Sequence, residues 1–356
     1  MLAWAAAVIW LCVIAALGGH DPLSAATWVH WDSNHYLAIA RDGYSNFHAC
    51  PVRKWCGDAA WLPGYPAVVA ALHGLGIPLA GAAVAVSWTF ALGALVLLWD
   101  TFLRGLSRPR AVAGLLFAAW TPGQVYHYAV FPLSMLFFFT VAYLRFLSRR
   151  RWLLAGLAAA AAVFCYPLGI TLAATGTLWI VLCGPRNGRL RAIATSGAPS
   201  LLAFGVVLAL QRAQTGHWTA FFQVQRSYGH GIHDPLGVTW NAVLLLRHAP
   251  VLFARQNAPS AQILFAAVVL AAVVVWYALG RRRRTQVDLL LVLWALVTWA
   301  FPLALANVSH WRSEAALAPL GVLVARLAPP VRIPVVVFAV FISVPMALLF
   351  FANRLI

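Results

Sequence analysis

The sequence predicts an all-α polytopic membrane protein with about eleven transmembrane helices, folded as a single integral-membrane domain over residues 1–356. Three observations predict it. Hydrophobic residues make up 63% of the chain and charged residues only 9%, whereas a soluble domain carries about 25% charge. Apolar runs of about 15 to 25 residues recur from end to end, and about 20 residues span a bilayer as a helix. Short basic clusters stand between those runs, and 24 of the 25 basic residues are Arg. This composition excludes a soluble enzyme and a disordered chain. The formal charge of +17 follows from a topology with positive loops inside, not from nucleic-acid binding.

Five clusters read as cytoplasmic: Arg104/Arg108/Arg110, Arg145/Arg149/Arg150/Arg151, Arg186/Arg189/Arg191, Arg281 to Arg284, and Arg326/Arg332. With the N-terminus inside, the expected spans are 2–18, 79–103, 111–126, 129–147, 152–166, 167–185, 192–211, 260–280, 286–305, 313–328 and 333–352. The first run has neither a basic start nor a clean small-residue cleavage site, so it reads as a retained span. The apolar stretch 61–77 cannot be a crossing, because counting it would move three Arg clusters to the wrong side. It reads as a helix along the outer membrane face, with Pro63 and Pro66 in its first turn. The long loops 19–78 and 213–259 then fall outside. No repeat of fixed period is present.

Six of the eight acids map to the outer side: Asp21, Asp32, Asp42, Asp58, Asp234 and Glu314. Asp100 and Asp288 map to cytoplasmic helix ends. For most of these acids, loop solubility is explanation enough. Asp32 differs, because Trp28, Trp31 and Tyr36 surround it at an interfacial depth where aromatic residues collect. A carboxylate held there is poorly hydrated, which makes it a better proton acceptor. After it, His35, Ile39 and Asp42 fall at helical spacing, and Gly43 is placed to end the helix.

At these residues the sequence resembles a known group. WVHWDSNHYLAIARDGY (28–44), followed by AAWLPGYPAV (59–68), is similar to the start of PIG-V-like mannosyltransferases. Residues 120–170 match the next block of that family in layout, and HWRSEAALAPLGVLVA (310–325) is similar to its Arg-aromatic…Pro block. The resemblance spans most of the chain. It implies the GT-C superfamily of integral membrane glycosyltransferases, a polyprenyl-phosphate sugar donor, and a catalytic acid in the first external loop beside two juxtamembrane helices. The family name implies mannose. Three stretches depart from the family pattern. Tyr126-His127-Tyr128-Ala129 lacks the usual acid, Cys165-Tyr166-Pro167 lacks the usual Arg, and 60–66 replaces a Phe-Phe-Pro-Leu-Tyr-Pro block. These departures bear on the sugar and the acceptor.

The expected reaction is displacement at the anomeric carbon, with inversion. One carboxylate serves as base, and Asp32 is the candidate. The leaving phosphate needs cationic donors near the outer face. Arg312, beside Trp311, is the first candidate and Arg226 the second, with Arg212 behind them. Trp31, His35, Tyr36, Tyr65, His127 and His310 are the candidate substrate contacts. No cofactor is required on this reading. His230, His233 and Asp234 are the one set that suits a divalent metal, without the spacing of a strong zinc site. His30 is a further external histidine.

Cys50 and Cys56 lie in the first external loop. An oxidising compartment suggests a disulfide between them, with a reduced pair as the alternative. Their spacing is not C-x-x-C. In the second loop, Phe221-Phe222, Trp240 and the run 241–254 suggest an interfacial helix. Asn307-Val308-Ser309 fits a glycosylation pattern, but the Arg- and Ala-rich composition points to a bacterial inner membrane, with the site facing the periplasm or exterior. The acceptor is then a glycolipid, glycan or protein. Two rivals stand beside the enzyme: a transporter or flippase of lipid-linked precursors, and a non-catalytic scaffold of the same fold.

Overall fold

A computed structural model describes residues 1–51, 54–228, 232, 234–248, 257–280, 284–305 and 310–355, with His310 described by its backbone alone. Helix α1 (Leu2–Leu17) opens the chain, and a 3-10 turn over Ala25–Trp28 leads into α2 (Ser33–Asp42). Gly43 ends α2 at φ 66°. A hairpin follows, β1 (Phe47–Cys50) antiparallel to β2 (Lys54–Gly57), with Phe47 opposite Gly57. Gly57 sits at φ 119°, and a Cβ there would lie 1.7 Å from the Asn46 carbonyl oxygen, so only glycine fits. A 3-10 turn over Asp58–Ala60 carries the chain into α3 (Gly64–Gly74).

The remaining helices are α4 (Leu79–Leu98), α5 (Arg108–Ala119), α6 (Leu133–Ser148), α7 (Trp152–Cys165), α8 (Ile170–Cys183), α9 (Arg189–Thr215), α10 (Ala220–Ser227), α11 (Pro235–His248), α12 (Asn257–Leu279), α13 (Gln286–Ala304), α14 (His310–Ala315), α15 (Gly321–Val324) and α16 (Pro329–Phe351). Among the described residues, five helical stretches are long and apolar enough to cross a membrane: Leu79–Leu103, Arg189–Thr215, Asn257–Leu279, Gln286–Ala304 and Pro329–Phe351. Leu2–Leu17, Leu133–Ser148, Trp152–Cys165 and Pro167–Cys183 are apolar but shorter. The chain is thus an all-α membrane-type protein apart from one small hairpin.

Two of the expected spans are not continuous helices. The first, 111–126, is helical only to Ala119. Pro122 and Pro132 lack an N–H, and Gly123 turns to φ 78°, so the chain from 121 to 132 cannot continue the helix. That stretch is wholly buried. Its backbone must be satisfied by protein: turns within the run close several bonds, such as Ala129 N–H to the Val125 carbonyl at 2.8 Å, and other segments supply the rest. Val130 N–H donates to the Trp28 carbonyl at 3.0 Å, Trp88 Nε1–H to the Tyr128 carbonyl at 3.0 Å, and Ser87 Oγ–H to the Phe131 carbonyl at 3.4 Å.

The second, 313–328, breaks into α14, a 3-10 turn over Ala318–Leu320 and α15. Pro319 interrupts the ladder there. Gly321 then lies against Gly114 of α5: a Cβ on Gly321 would sit 2.3 Å from the Gly114 carbonyl oxygen. Only two facing glycines permit that approach.

Other expectations hold with small shifts. The 61–77 helix is α3, docked on α4 by Tyr65, whose hydroxyl donates to the Ala83 carbonyl at 2.8 Å. The run 241–254 is helical as far as it is described, in α11, which begins at Pro235 and is described to His248; residues 249–254 lie outside the described residues. Cys50 and Cys56 are joined as a disulfide, while Cys12, Cys165 and Cys183 are free. Asp100 pairs with Arg145 at 2.8 Å and Asp288 with Arg326 at 2.8 Å. Each pair joins two segments that the charge pattern assigns to one side. The end of α9 holds the first long loop: Gln211 Nε2–H donates to the Ala59 carbonyl at 2.8 Å, and Gln214 Oε1 accepts from Tyr44 N–H at 2.7 Å. Arg281–Arg283 and the Asn307–Ser309 pattern lie outside the described residues.

Two outcomes are expected. Gly321→Val should lower stability by about 1–3 kcal/mol through overpacking, seen as a lower melting temperature in detergent, while Gly105→Ala, on an open turn, should not. Under denaturing, non-reducing conditions, alkylation should label three cysteines and reach all five only after reduction; mass spectrometry counts the adducts.

Candidate functional site

The site is built where the first loop meets α14. The turn before α2 is self-bonded. Ser33 Oγ accepts from His30 N–H at 3.1 Å, and His30 Nε2 bonds the Thr27 carbonyl at 3.1 Å. Burial lowers the His30 pKa, partly offset by that carbonyl, so this ring is held neutral and packs edge-on against Phe350 at 4.6 Å. Trp31 takes φ 45°, a region that costs a residue with a Cβ on the order of 1–3 kcal/mol. This backbone places Asp32 immediately before α2.

Arg312 meets it. Its Nη1 donates to Asp32 Oδ2 in an ion pair that closes 280 residues of chain. Arg312 is 6% exposed, and the Asp32 side chain is 28% exposed. Three rings surround the guanidinium: Phe131 at 5.4 Å, Tyr126 at 5.8 Å and Trp31 at 5.9 Å from its Cζ. Such faces attract a desolvated cation. Asp32 is thus ion-paired as well as flanked by aromatic residues.

Several bonds fix α14. Trp311 Nε1–H donates to Tyr126 Oη at 3.1 Å. His127 Nε2 bonds the Ala315 carbonyl at 3.0 Å, and Gln262 Nε2–H donates to the Trp311 carbonyl at 2.9 Å. Tyr36 is buried between Tyr65, at 5.7 Å, and Phe131, at 6.1 Å. Burial, then Tyr166 and Asp32, push its hydroxyl well above the ordinary value, so it remains a neutral donor.

A second polar pair lies on the same loop. His35 Nδ1 is 2.5 Å from Asp58 Oδ1, and the His35 ring stacks on Trp61 at 3.5 Å. Asp58 is 2% exposed, and its Oδ2 has no partner. The sequence did not single out Asp58 from the other loop acids. The signal for it was the disulfide, because a pinned hairpin returns the chain to α2.

The structure thus brings together Asp32, Arg312, Trp31 and Tyr36, with His35 one helical turn after Asp32. Tyr65 and His127, expected as substrate contacts, are buried; Tyr65 Oη holds the Ala83 carbonyl and His127 Nε2 the Ala315 carbonyl. Arg226 is exposed on α10, and no bond joins it to Asp32 or Arg312. His230, His233 and the side chain of His310 lie outside the described residues. Among the described residues, no group of three His, Cys, Asp or Glu side chains is placed to hold a metal. No family model matches the chain, and no curated protein matches it.

The pair is unequal, which gives a test. Asp32→Asn leaves a buried guanidinium uncompensated and should cost about 3 kcal/mol. Arg312→Met leaves a carboxylate that water can reach and should cost about 1 kcal/mol. Thermal melting of the two single variants reads the order.

Proposed function

We propose that this chain is a membrane glycosyltransferase of GT-C type, with about eleven crossings. On this reading it moves a sugar, mannose by resemblance, from a polyprenyl-phosphate donor to an acceptor hydroxyl on the non-cytoplasmic face of a bacterial inner membrane. The observation that carries the reading is the Arg312–Asp32 pair, a caged cation beside a water-accessible carboxylate. The donor phosphate competes with Asp32 for Arg312 and draws the guanidinium to itself. Asp32, released, takes the proton of the acceptor hydroxyl. The acceptor oxygen bonds the anomeric carbon as the bond from that carbon to the phosphate oxygen breaks. The electron pair leaves with the lipid phosphate, whose charge Arg312 stabilises. Configuration inverts in this single step. Tyr36 and Trp31 flank the carboxylate.

One observation favours the transporter reading instead: Glu314 is buried within an interrupted helical segment, the setting of many transport sites.

Membranes containing the protein are given radiolabelled polyprenyl-phosphate mannose. Transfer should fall at least 100-fold in Asp32→Asn, the loss typical of a missing general base, after correction for folded protein. Arg312→Lys should raise the donor concentration needed for half-maximal rate. Equal transfer in wild type and Asp32→Asn removes Asp32 as base. Wild type that moves labelled lipid across vesicles without transferring sugar supports the transporter.

A further inference from the structure

Asp58 is the loop acid that the Arg312–Asp32 pair leaves unused. It is 2% exposed, and its Oδ2 has no partner. Its Oδ1 lies 2.5 Å from His35 Nδ1. Packing alone does not call for such a group, because a buried ion pair is often no more stable than apolar side chains of the same volume. Helix α2 also has other anchors. Tyr36 packs edge-on against Tyr65 and Phe131, and Tyr44 N–H, just past the helix, donates to Gln214 Oε1 at 2.7 Å.

The carboxylate fixes the His35 ring instead. A carboxylate oxygen only accepts, so the hydrogen of a neutral imidazole sits on Nδ1 and leaves the lone pair on Nε2. Trp61 sets the plane, stacked on the ring at 3.5 Å and 13°. With one nitrogen bonded and one face covered, the ring is held in one orientation. The His35 side chain is 30% exposed, and Nε2 is neither buried nor bonded to any described residue. The result is a fixed lone pair open to water.

That lone pair stands beside the site. Asp32 has helical backbone, and His35 N–H donates to its carbonyl at 3.0 Å. Side chains three apart on a helical turn are neighbours, with Cβ atoms about 5–6 Å apart. An acceptor nitrogen repels phosphate oxygens and calls for a hydroxyl. Two proton acceptors one turn apart suit a molecule with two adjacent hydroxyls, which a sugar has and a serine or threonine side chain lacks. We propose that His35 Nε2 accepts a hydrogen bond from a hydroxyl of a carbohydrate acceptor, and that Asp58 is the positioning residue that fixes the His35 tautomer. This deepens the transferase reading and rests on it: Asp32 takes the proton of the reacting hydroxyl, and His35 holds its neighbour.

The first test needs no transfer. Diethyl pyrocarbonate acylates the imidazole nitrogen that carries the lone pair. Mass spectrometry of the purified full chain in detergent reads His35 against His48, which is exposed on the hairpin. The probes are the methyl glycosides of mannose, glucose and galactose. At least one should slow His35 acylation saturably and several-fold while leaving His48 unchanged, and inorganic phosphate should not. Asp58→Asn can turn its amide N–H to Nδ1 and move the hydrogen to Nε2. It should slow His35 acylation several-fold, whereas a merely structural bond, once weakened, would free the ring and speed it. Absence of protection by all three glycosides in wild type, or His35 acylation that is unchanged or faster in a folded Asp58→Asn, overturns the proposal. Sugar transfer from the labelled donor without protection removes the His35 contact and keeps the transferase. Protection without transfer keeps hydroxyl binding at His35 and counts against the transferase.

Discussion

The rest of the structure depends on the desolvation of one guanidinium. Arg312 is 6% exposed, and a cation in that setting is tolerated only with a counter-charge in place. The counter-charge is Asp32, on a different part of the chain. The first loop and α14 must therefore arrive at one place, and the rings of Trp31, Tyr126 and Phe131 line that place. None of the three rings is carried by an α-helix. The positive φ of Trp31 and the buried irregular run 121–132 accompany this arrangement.

Irregular backbone inside an apolar body has to be satisfied by protein, because little water reaches it. Here the partners are backbone turns together with side chains of neighbouring segments. Trp88 and Ser87 of α4 serve the 121–132 run, and His127 and Gln262 serve the ends of α14. This explains why polar residues recur on otherwise apolar helices. They are chiefly backbone partners.

Much of this was legible in the sequence. The apolar runs located the helices, Gly43 marked the end of α2, and the aromatic setting of Asp32 marked the loop that matters. Arg312 was legible as a candidate cation, but its pairing with Asp32 was not, since periodicity carries no information about contacts 280 residues apart. Hydropathy also missed the breaks at 121–132 and after Ala315. Both stretches are apolar enough to span, and only Pro122-Gly123 and Pro319 with Gly321 signal the interruption. The backbone bonds of Tyr65 and His127 were not legible either. A polar tip on an aromatic ring looks available until its backbone partner is known. Asp58 was missed because its partner, His35, is reached only through the closed hairpin.

The distance along the chain between Asp32 and Arg312 has a consequence for biosynthesis. A ribosome adds about 5–20 residues per second, so the first loop is made on the order of tens of seconds before its cation exists. Before then the turn before α2 is held by its own bonds, Ser33 to His30 and His30 to Thr27, by the disulfide beyond, and by earlier-made segments such as Val130, whose N–H reaches the Trp28 carbonyl. The loop is thus stitched to itself first and locked last. A nascent chain cut short before Arg312 would carry the acid without its partner.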